Sequence, residues 1–385
     1  MGYSGVKGGM AAILAAERLV RRKRGQAPWA PASQIVQSFR LAVDRIMGEA
    51  GLYDEAIAAD AFRQAEGDLL EAAHLVRAYR SSLPRLAVSE PADPDEMAVL
   101  RRIVPASRTP DGPQLLGRTT DYTARVLERT AGPADPETEA VAEAEATVGT
   151  GTATEETQDA GARGQRHPRR FSELLAKLDL AVLHEQAAED AEPFDVSRRA
   201  ARTPAPRSAV LASMARAETG ALIGLWYRSI RGRDGAFHEV TLGELRHGRL
   251  PLRVIHPLTG NPVVVGTVRA TEAEAIEDLD GAAEDRTRFD VGYGMCFGHN
   301  ERKAIAMANL DIACRRSSSD ELEQLLLLTT DGLDSSGFLE HLKLPHYVTF
   351  RSMVDRKLAG RAARSSQESK ESESRMPDAF GKECQ

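Results

Sequence analysis

What most constrains the fold of this chain is a change of hydrophobic rhythm near residue 218. Before it, apolar residues recur at helical spacing. "SQIVQSFRLAVDRIMGEAG" (33–51) puts Ile35, Phe39, Ala42, Val43 and Ile46 on one face, with Ser33 placed to cap the start and Gly51 to stop the end. "DLLEAAHLVRAYRSSLP" repeats this with Leu69, Ala72, Ala73, Val76 and Tyr79, starting at Asp68 and broken before Pro84, and "FSELLAKLDLAVLHEQ" reads as a further helix. After residue 218 the runs are short, β-rich and bounded by Gly, Pro and Asn: "GALIGLWYRSIRG", "LPLRVIHP", "NPVVVGTVRATEAEAI" and "RFDVGYGMCFG". The last runs into a helix from Glu301 to about Cys314. The expected class is α+β: a helical N-terminal part, then a largely antiparallel sheet part with a late glycine-loop helix. The pattern does not fix the strand order.

Two segments lack the apolar residues a core needs. Residues 131–170 are rich in Ala, Glu, Thr and Gly and cannot bury enough surface to offset their ordering entropy. From Gly360 the chain is a polar tail. The expected divisions are therefore 1–130 (helical), 131–170 (flexible acidic insert), 171–359 (α+β) and 360–385 (disordered tail). The formal charge of -7 misleads, because eight carboxylates and no Lys or Arg fall within 131–160. The remainder is about neutral. Aromatics are only 5% of the chain, so its core must rest on Leu, Val, Ile and Ala. No run of about 20 apolar residues is present to span a bilayer. The basic cluster of the N-terminal stretch follows its apolar part, the reverse of an export signal. Cys296, Cys314 and Cys384 have no CxxC spacing, which argues against a disulfide framework and fits a reducing cytoplasm.

Three segments carry possible chemistry. In "VGYGMCFGHNERKAIAMANLD" (291–311), Gly292, Gly294 and Gly298 precede a helix capped by Asn300, with Glu301, Arg302 and Lys303 in its first turn. Cations there oppose the helix dipole unless an anion binds, when backbone N–H groups and both cations would face it. The plainer reading is glycines for tight packing and cations in water. "GVKGGMAAILAAERL" (5–19) sets Lys7 before Gly8 and Gly9 at a helix start, without the full Walker pattern. In "GFLEHLKLPHYVTF" (337–350), His341 and His346 stand five apart across Pro345, which bars a continuous helix. They read either as two ligands of an incomplete metal site or as two partly buried histidines, since a stable site takes three or four ligands. His74 and His184 read as helix residues, His167 lies in the insert, His256 precedes a turn proline, and His299 reads as a cap.

Together "GVKGG", "LAVDRIM", "LVRAYRSSLPRLAVSEP", "QLLGRTTDYTARVL", "GYGMCFGHNERKAIAMANLD" and "GFLEHLKLPHYVTF" occur in order over nearly the whole chain. In these blocks the sequence resembles the PhnI family, the I subunit of the bacterial carbon–phosphorus lyase core complex. The 131–170 insert and the C-terminal tail depart from that likeness. The resemblance implies a cytoplasmic enzyme subunit of phosphonate catabolism, working with the G, H and J subunits and the ATPase-like L and K subunits, with no nucleic-acid or membrane partner. The family displaces adenine from C1′ of MgATP by methylphosphonate, giving alpha-D-ribose 1-methylphosphonate 5-triphosphate, and the I subunit alone is a purine nucleosidase. A non-catalytic scaffold that donates metal ligands is the alternative. The implied triphosphate contacts are Lys7, Gly8, Gly9, Gly292, Gly294, Arg302 and Lys303. Glu301 is the catalytic candidate. By the same resemblance His341 and His346 hold Zn2+ shared with another subunit, and Mg2+ arrives with ATP.

Overall fold

A computed structural model of the chain describes residues 9–26, 30–123, 125, 168–182, 192–231, 240–278, 287–316, 321–344 and 347–374. They fall into two units, 1–333 and 334–385. Most of the insert lies outside the described residues.

The first unit opens with helices α1 (Gly9–Gln26), α2 (Ala32–Ser38), α3 (Arg40–Ala50), α4 (Glu55–Gln64) and α5 (Leu69–Ser81). The stretch expected as one helix over 33–51 is two, because Phe39 leaves helical geometry (φ -119°, ψ 35°). Phe39 is therefore exposed and meets Phe62, rather than sharing the buried face of Ile35, Val43 and Ile46. Pro31, not Ser33, precedes the first turn. Gly51 does end α3, in the left-handed region at φ 65°. Asp68 caps α5, accepting from the Leu70 and Glu71 N–H groups at 2.9 and 3.1 Å. Alanines 50, 58, 59 and 72 let these helices approach closely around Ile46 and Met47.

A 3₁₀ turn (Pro94–Glu96) leads into β1 (Ala98–Ile103); later come α6 (Phe171–Lys177), α7 (Arg207–Arg216) and α8 (Thr219–Ile230). Helix α6 is shorter than expected. Asp179 turns left-handed at φ 55°, and Leu180 N–H bonds the Leu175 carbonyl at 2.9 Å, a Schellman stop without glycine. The expected strand "GALIGLWYRSIRG" is helix α8. Glu218 accepts from the Gly220 and Ala221 N–H groups at 2.8 and 2.6 Å, and Leu222 and Leu225, three apart, are buried. Helical phase and a cap thus override the β preference of Ile, Trp and Tyr.

Strands β2 (Val240–Ile255), β3 (Pro262–Asp278) and β4 (Phe289–Phe297) complete an antiparallel sheet in the order β1-β2-β3-β4. Helix α9 (Glu301–Arg316) lies on one face, with α7, α8 and α10 (Glu321–Thr329) around it. Its core holds Met214, Leu222, Ala273, Met307 and Leu310. The opposite face is buried yet charged: Arg102 bonds Glu244 at 2.6 Å, Arg246 bonds Glu272, and Tyr293 Oη donates to Glu272 at 2.9 Å. Arg170, the last residue of the segment expected as a flexible insert, reaches Asp95 at 2.7 Å and lies within 3.5 Å of both Glu272 and Glu274. The structure thus shows the expected α+β class, although β1 precedes residue 218.

Helix α11 (Gly332–Leu342) crosses from the first unit into the second, whose remaining described helix is α12 (Tyr347–Ser374). Helix α12 continues past Gly360, where the polar composition suggested a structureless tail, and its described side chains are exposed. Among the described residues no helix is long and apolar enough to cross a membrane.

Candidate functional site at the start of the glycine-loop helix

Antiparallel register sets Arg101 of β1, His247 of β2, Thr271 of β3 and Cys296 of β4 in one row across the sheet, on the α9 face. The chain leaves β4 through Gly298, at φ 71°, where a Cβ would come within 2.6 Å of the Asp44 side chain. Only glycine suits both the dihedral and the space. His299, Asn300 and Glu301 follow, so the start of α9 is delivered onto the polar row. Asn300 turns its carboxamide N–H back into the turn that precedes α9. It donates to the Asp44 and Phe297 carbonyls at 3.0 and 2.6 Å, tying the turn to α3.

A directional chain of hydrogen bonds crosses the site. Arg40 Nη1 meets His299 Nδ1 at 2.6 Å, and a guanidinium only donates, so Nδ1 is the acceptor and the ring proton sits on Nε2. That proton faces Glu301 Oε1 at 2.9 Å, the same oxygen that Arg101 Nε reaches at 2.5 Å. Arg101 also holds the Leu116 carbonyl at 2.5 Å and Asp121 at 2.6 Å. Burial pushes the Glu301 carboxyl up, but the His299 bond and the Arg101 charge outweigh it and hold it below the usual range. Glu301 is thus a standing negative charge near neutral pH, not a proton donor.

His247 stacks on His299 with ring centroids 4.3 Å apart and planes 13° from parallel. Its Nδ1 lies 3.0 Å from both the Ala270 carbonyl and Thr271 Oγ1. Thr271 donates to the Gly298 carbonyl at 2.6 Å and accepts from Asn300 N–H at 3.2 Å. Both neighbours of Nδ1 are therefore acceptors, Nδ1 carries the proton, and Nε2 has the lone pair. Nε2 has no hydrogen-bond partner among the described residues, although the residue is only 5% exposed. Burial first, then the closeness of His299, Arg269 and Arg40, push His247 down to about 3. It is a neutral acceptor throughout the physiological range.

The expected ligand residues separate into groups. Arg302 is exposed on the first turn of α9. Lys303 is fully buried on the opposite side, in phase with Met307 and Leu310, and its Nζ donates to the Ala217 carbonyl at 2.8 Å. Gly292 and Gly294 form the sheet–helix contact: a Cβ at either would lie 1.9 Å from the Ala308 oxygen or 2.3 Å from the Ala304 oxygen. They let α9 settle on β4 and leave no room there for a ligand. Gly9 opens α1, while Lys7 and Gly8 lie outside the described residues. His341 is exposed in the last turn of α11, and His346 lies outside the described residues. Among the described residues no three His, Cys, Asp or Glu converge as metal ligands. These residues alone do not make a zinc site. Burial raises the Cys296 thiol to about 11, so it is an inert core residue.

The sequence reading missed Arg40, Arg101 and His247. The available signal was "GELRHGRL", a strand with polar residues in both phases, Glu244 and Arg246 in one and His247 in the other. Such a strand carries polar groups on both faces.

The family described as "Bacterial phosphonate metabolism protein (PhnI)" matches residues 2–363. The chain is 40% identical over 368 residues to a Stutzerimonas stutzeri protein named as a C-P lyase subunit, HtxH, covering 92% of this chain and 95% of that protein. It is 36% and 38% identical, each over 363 residues, to proteins of Rhizobium meliloti (strain 1021) and Escherichia coli (strain K12). Both are named alpha-D-ribose 1-methylphosphonate 5-triphosphate synthase subunit PhnI; the matches cover 92% of this chain and 93% and 96% of theirs. Carried by matches along almost its whole length, this chain belongs to the PhnI family.

Proposed function

We propose that this chain is the I subunit of a carbon–phosphorus lyase core and that, with G, H, J, L and K partners, it displaces adenine from C1′ of MgATP by methylphosphonate. The product is alpha-D-ribose 1-methylphosphonate 5-triphosphate; alone, the chain is a purine nucleosidase. The C1′–N9 bond breaks as a C1′–O–P bond forms on the opposite face, and the proton of the phosphonate monoanion balances the adenine that departs. One in-line step with oxocarbenium character inverts C1′ and needs no enzyme nucleophile.

The observation that carries this reading is the Arg40–His299–Glu301–Arg101 chain at the start of α9. Backbone N–H groups of the first turn, Arg40 and exposed Arg302 suit an anion. Glu301, kept ionised, suits positive charge developing at C1′. Lys7, Gly8 and Gly9 are a second proposed anion contact. His341 and His346 are proposed to hold Zn2+ completed by another subunit, and the His341→Ala, His346→Ala double variant is expected to lower the zinc content of the assembled complex. Unchanged zinc would make the pair structural.

Chromatography of MgATP incubated with methylphosphonate and the assembled complex tests the function. Adenine release that depends on the phosphonate supports it. Phosphate release instead, or a catalytically silent chain that still assembles, contradicts it, the latter in favour of the scaffold.

A further inference from the structure

We infer that His247 accepts a hydrogen bond from the ribose 2′-hydroxyl of the nucleotide, so that the site selects ribonucleoside over 2′-deoxyribonucleoside triphosphates; this rests on the function proposed above. The His247 ring is fixed. Its Nδ1–H is taken by the Ala270 carbonyl and Thr271 Oγ1, and one face is covered by His299. What remains for a ligand is Nε2, a lone pair on a 5% exposed side chain with no partner among the described residues. An ionised phosphate or phosphonate oxygen has only lone pairs to offer that atom and is turned away from it, toward the α9 first turn and Arg40; the single proton of the phosphonate monoanion is the one that balances the departing adenine. The ligand group at Nε2 must donate.

A nucleoside triphosphate has three such donors: the 2′- and 3′-hydroxyls and the amino group of adenine. The anion at the α9 start is the group attacking C1′, and the 2′-hydroxyl is the donor on the neighbouring carbon. Adenine leaves from the opposite face of C1′, which carries its amino group away from the helix start. The 2′-hydroxyl is therefore the donor that reaches His247 while the phosphonate lies against α9. Thr271 acts through His247, fixing its tautomer, and is a positioning residue.

The test compares kcat/KM for adenine release from ATP, 2′-deoxy-ATP and purine riboside triphosphate, which lacks the amino group, in the assembled complex. The wild type is expected to favour ATP over 2′-deoxy-ATP about tenfold or more, the worth of one hydrogen bond to a buried group. It should favour ATP over the purine analogue far less. In His247→Phe the ATP to 2′-deoxy-ATP ratio should fall toward one, and His247→Gln, which keeps an acceptor, should restore part of it. An undiminished ratio in both variants overturns the inference, as does discrimination confined to the analogue without the amino group. Should His247→Phe fail to assemble, His247→Gln and the wild-type ratio decide. If the wild type releases no adenine at all, the proposed function fails instead; calorimetric affinities for ATP and 2′-deoxy-ATP then read the inference separately.

Discussion

At the residue scale, His247 and Lys303 are buried bases whose folded pKa values lie below their ordinary ones. The folded chain then binds fewer protons than the unfolded one, so stability is lost as pH falls below the ordinary value. For His247 the window runs from 6.5 down to about 3. Relative to the non-titrating His247→Gln, the wild type should lose up to about 4 kcal/mol across it, at about 1.4 kcal/mol per unit. Denaturant unfolding at pH 7 and 4 measures this; a constant difference would contradict it. For Lys303 the window opens downward from 10.5, with burial the main cause. The wild type should gain stability relative to Lys303→Met between pH 8 and 10 in the same assay. Lys303 shows what was legible and passed over: its spacing to Met307 and Leu310 marks a core phase, yet its place beside Arg302 suggested a ligand. His247 was harder to see, because a buried imidazole is recognised by what crosses the sheet to meet it, and single-sequence spacing does not give strand register.

At the scale of elements, β4 and α9 act as a pair. Gly292→Ala would force a methyl group against the α9 backbone at Ala308. A loss of at least about 1–3 kcal/mol, read by thermal melting, is expected. Unchanged stability would show that the contact yields freely. The Glu218 carboxylate caps α8 while bonding Arg45, so Glu218→Ala should cost about 0.5–2 kcal/mol. Strands β3 and β4 and helix α9 were legible because period and punctuation agree in them. Helix α8 was not, because its aromatic and β-branched residues favour a strand while its cap and burial phase favour a helix. Packing against α9 adds to the cap and the phase and settles the conflict. The break at Phe39 has the same origin in tertiary contact.

At the scale of the whole molecule, the acidic insert and the network behind it predict opposite outcomes. Deleting 131–165 should leave assembly and adenine release nearly intact. Arg170→Ala, only a few residues on, should destabilise by about 1–3 kcal/mol, because it removes a half-buried cation shared by Asp95, Glu272 and Glu274, although Glu272 keeps Arg246 and Tyr293 and Glu274 keeps Ser172. Unfolding of the deletion variant, or indifference to Arg170→Ala, would reverse that picture. The family could be read from six ordered blocks because a likeness spread over the chain needs no knowledge of contacts. The site could not, since it joins residues 40, 101, 247, 299 and 301 through register and helix placement. Its central claim is that the start of α9 receives the nucleotide. A structure of the assembled complex with MgATP and methylphosphonate tests this most directly. Ribose and phosphonate density is expected against the first turn of α9, within hydrogen-bond reach of Arg40 and His247. Nucleotide bound elsewhere, with this turn filled by solvent alone, would contradict it.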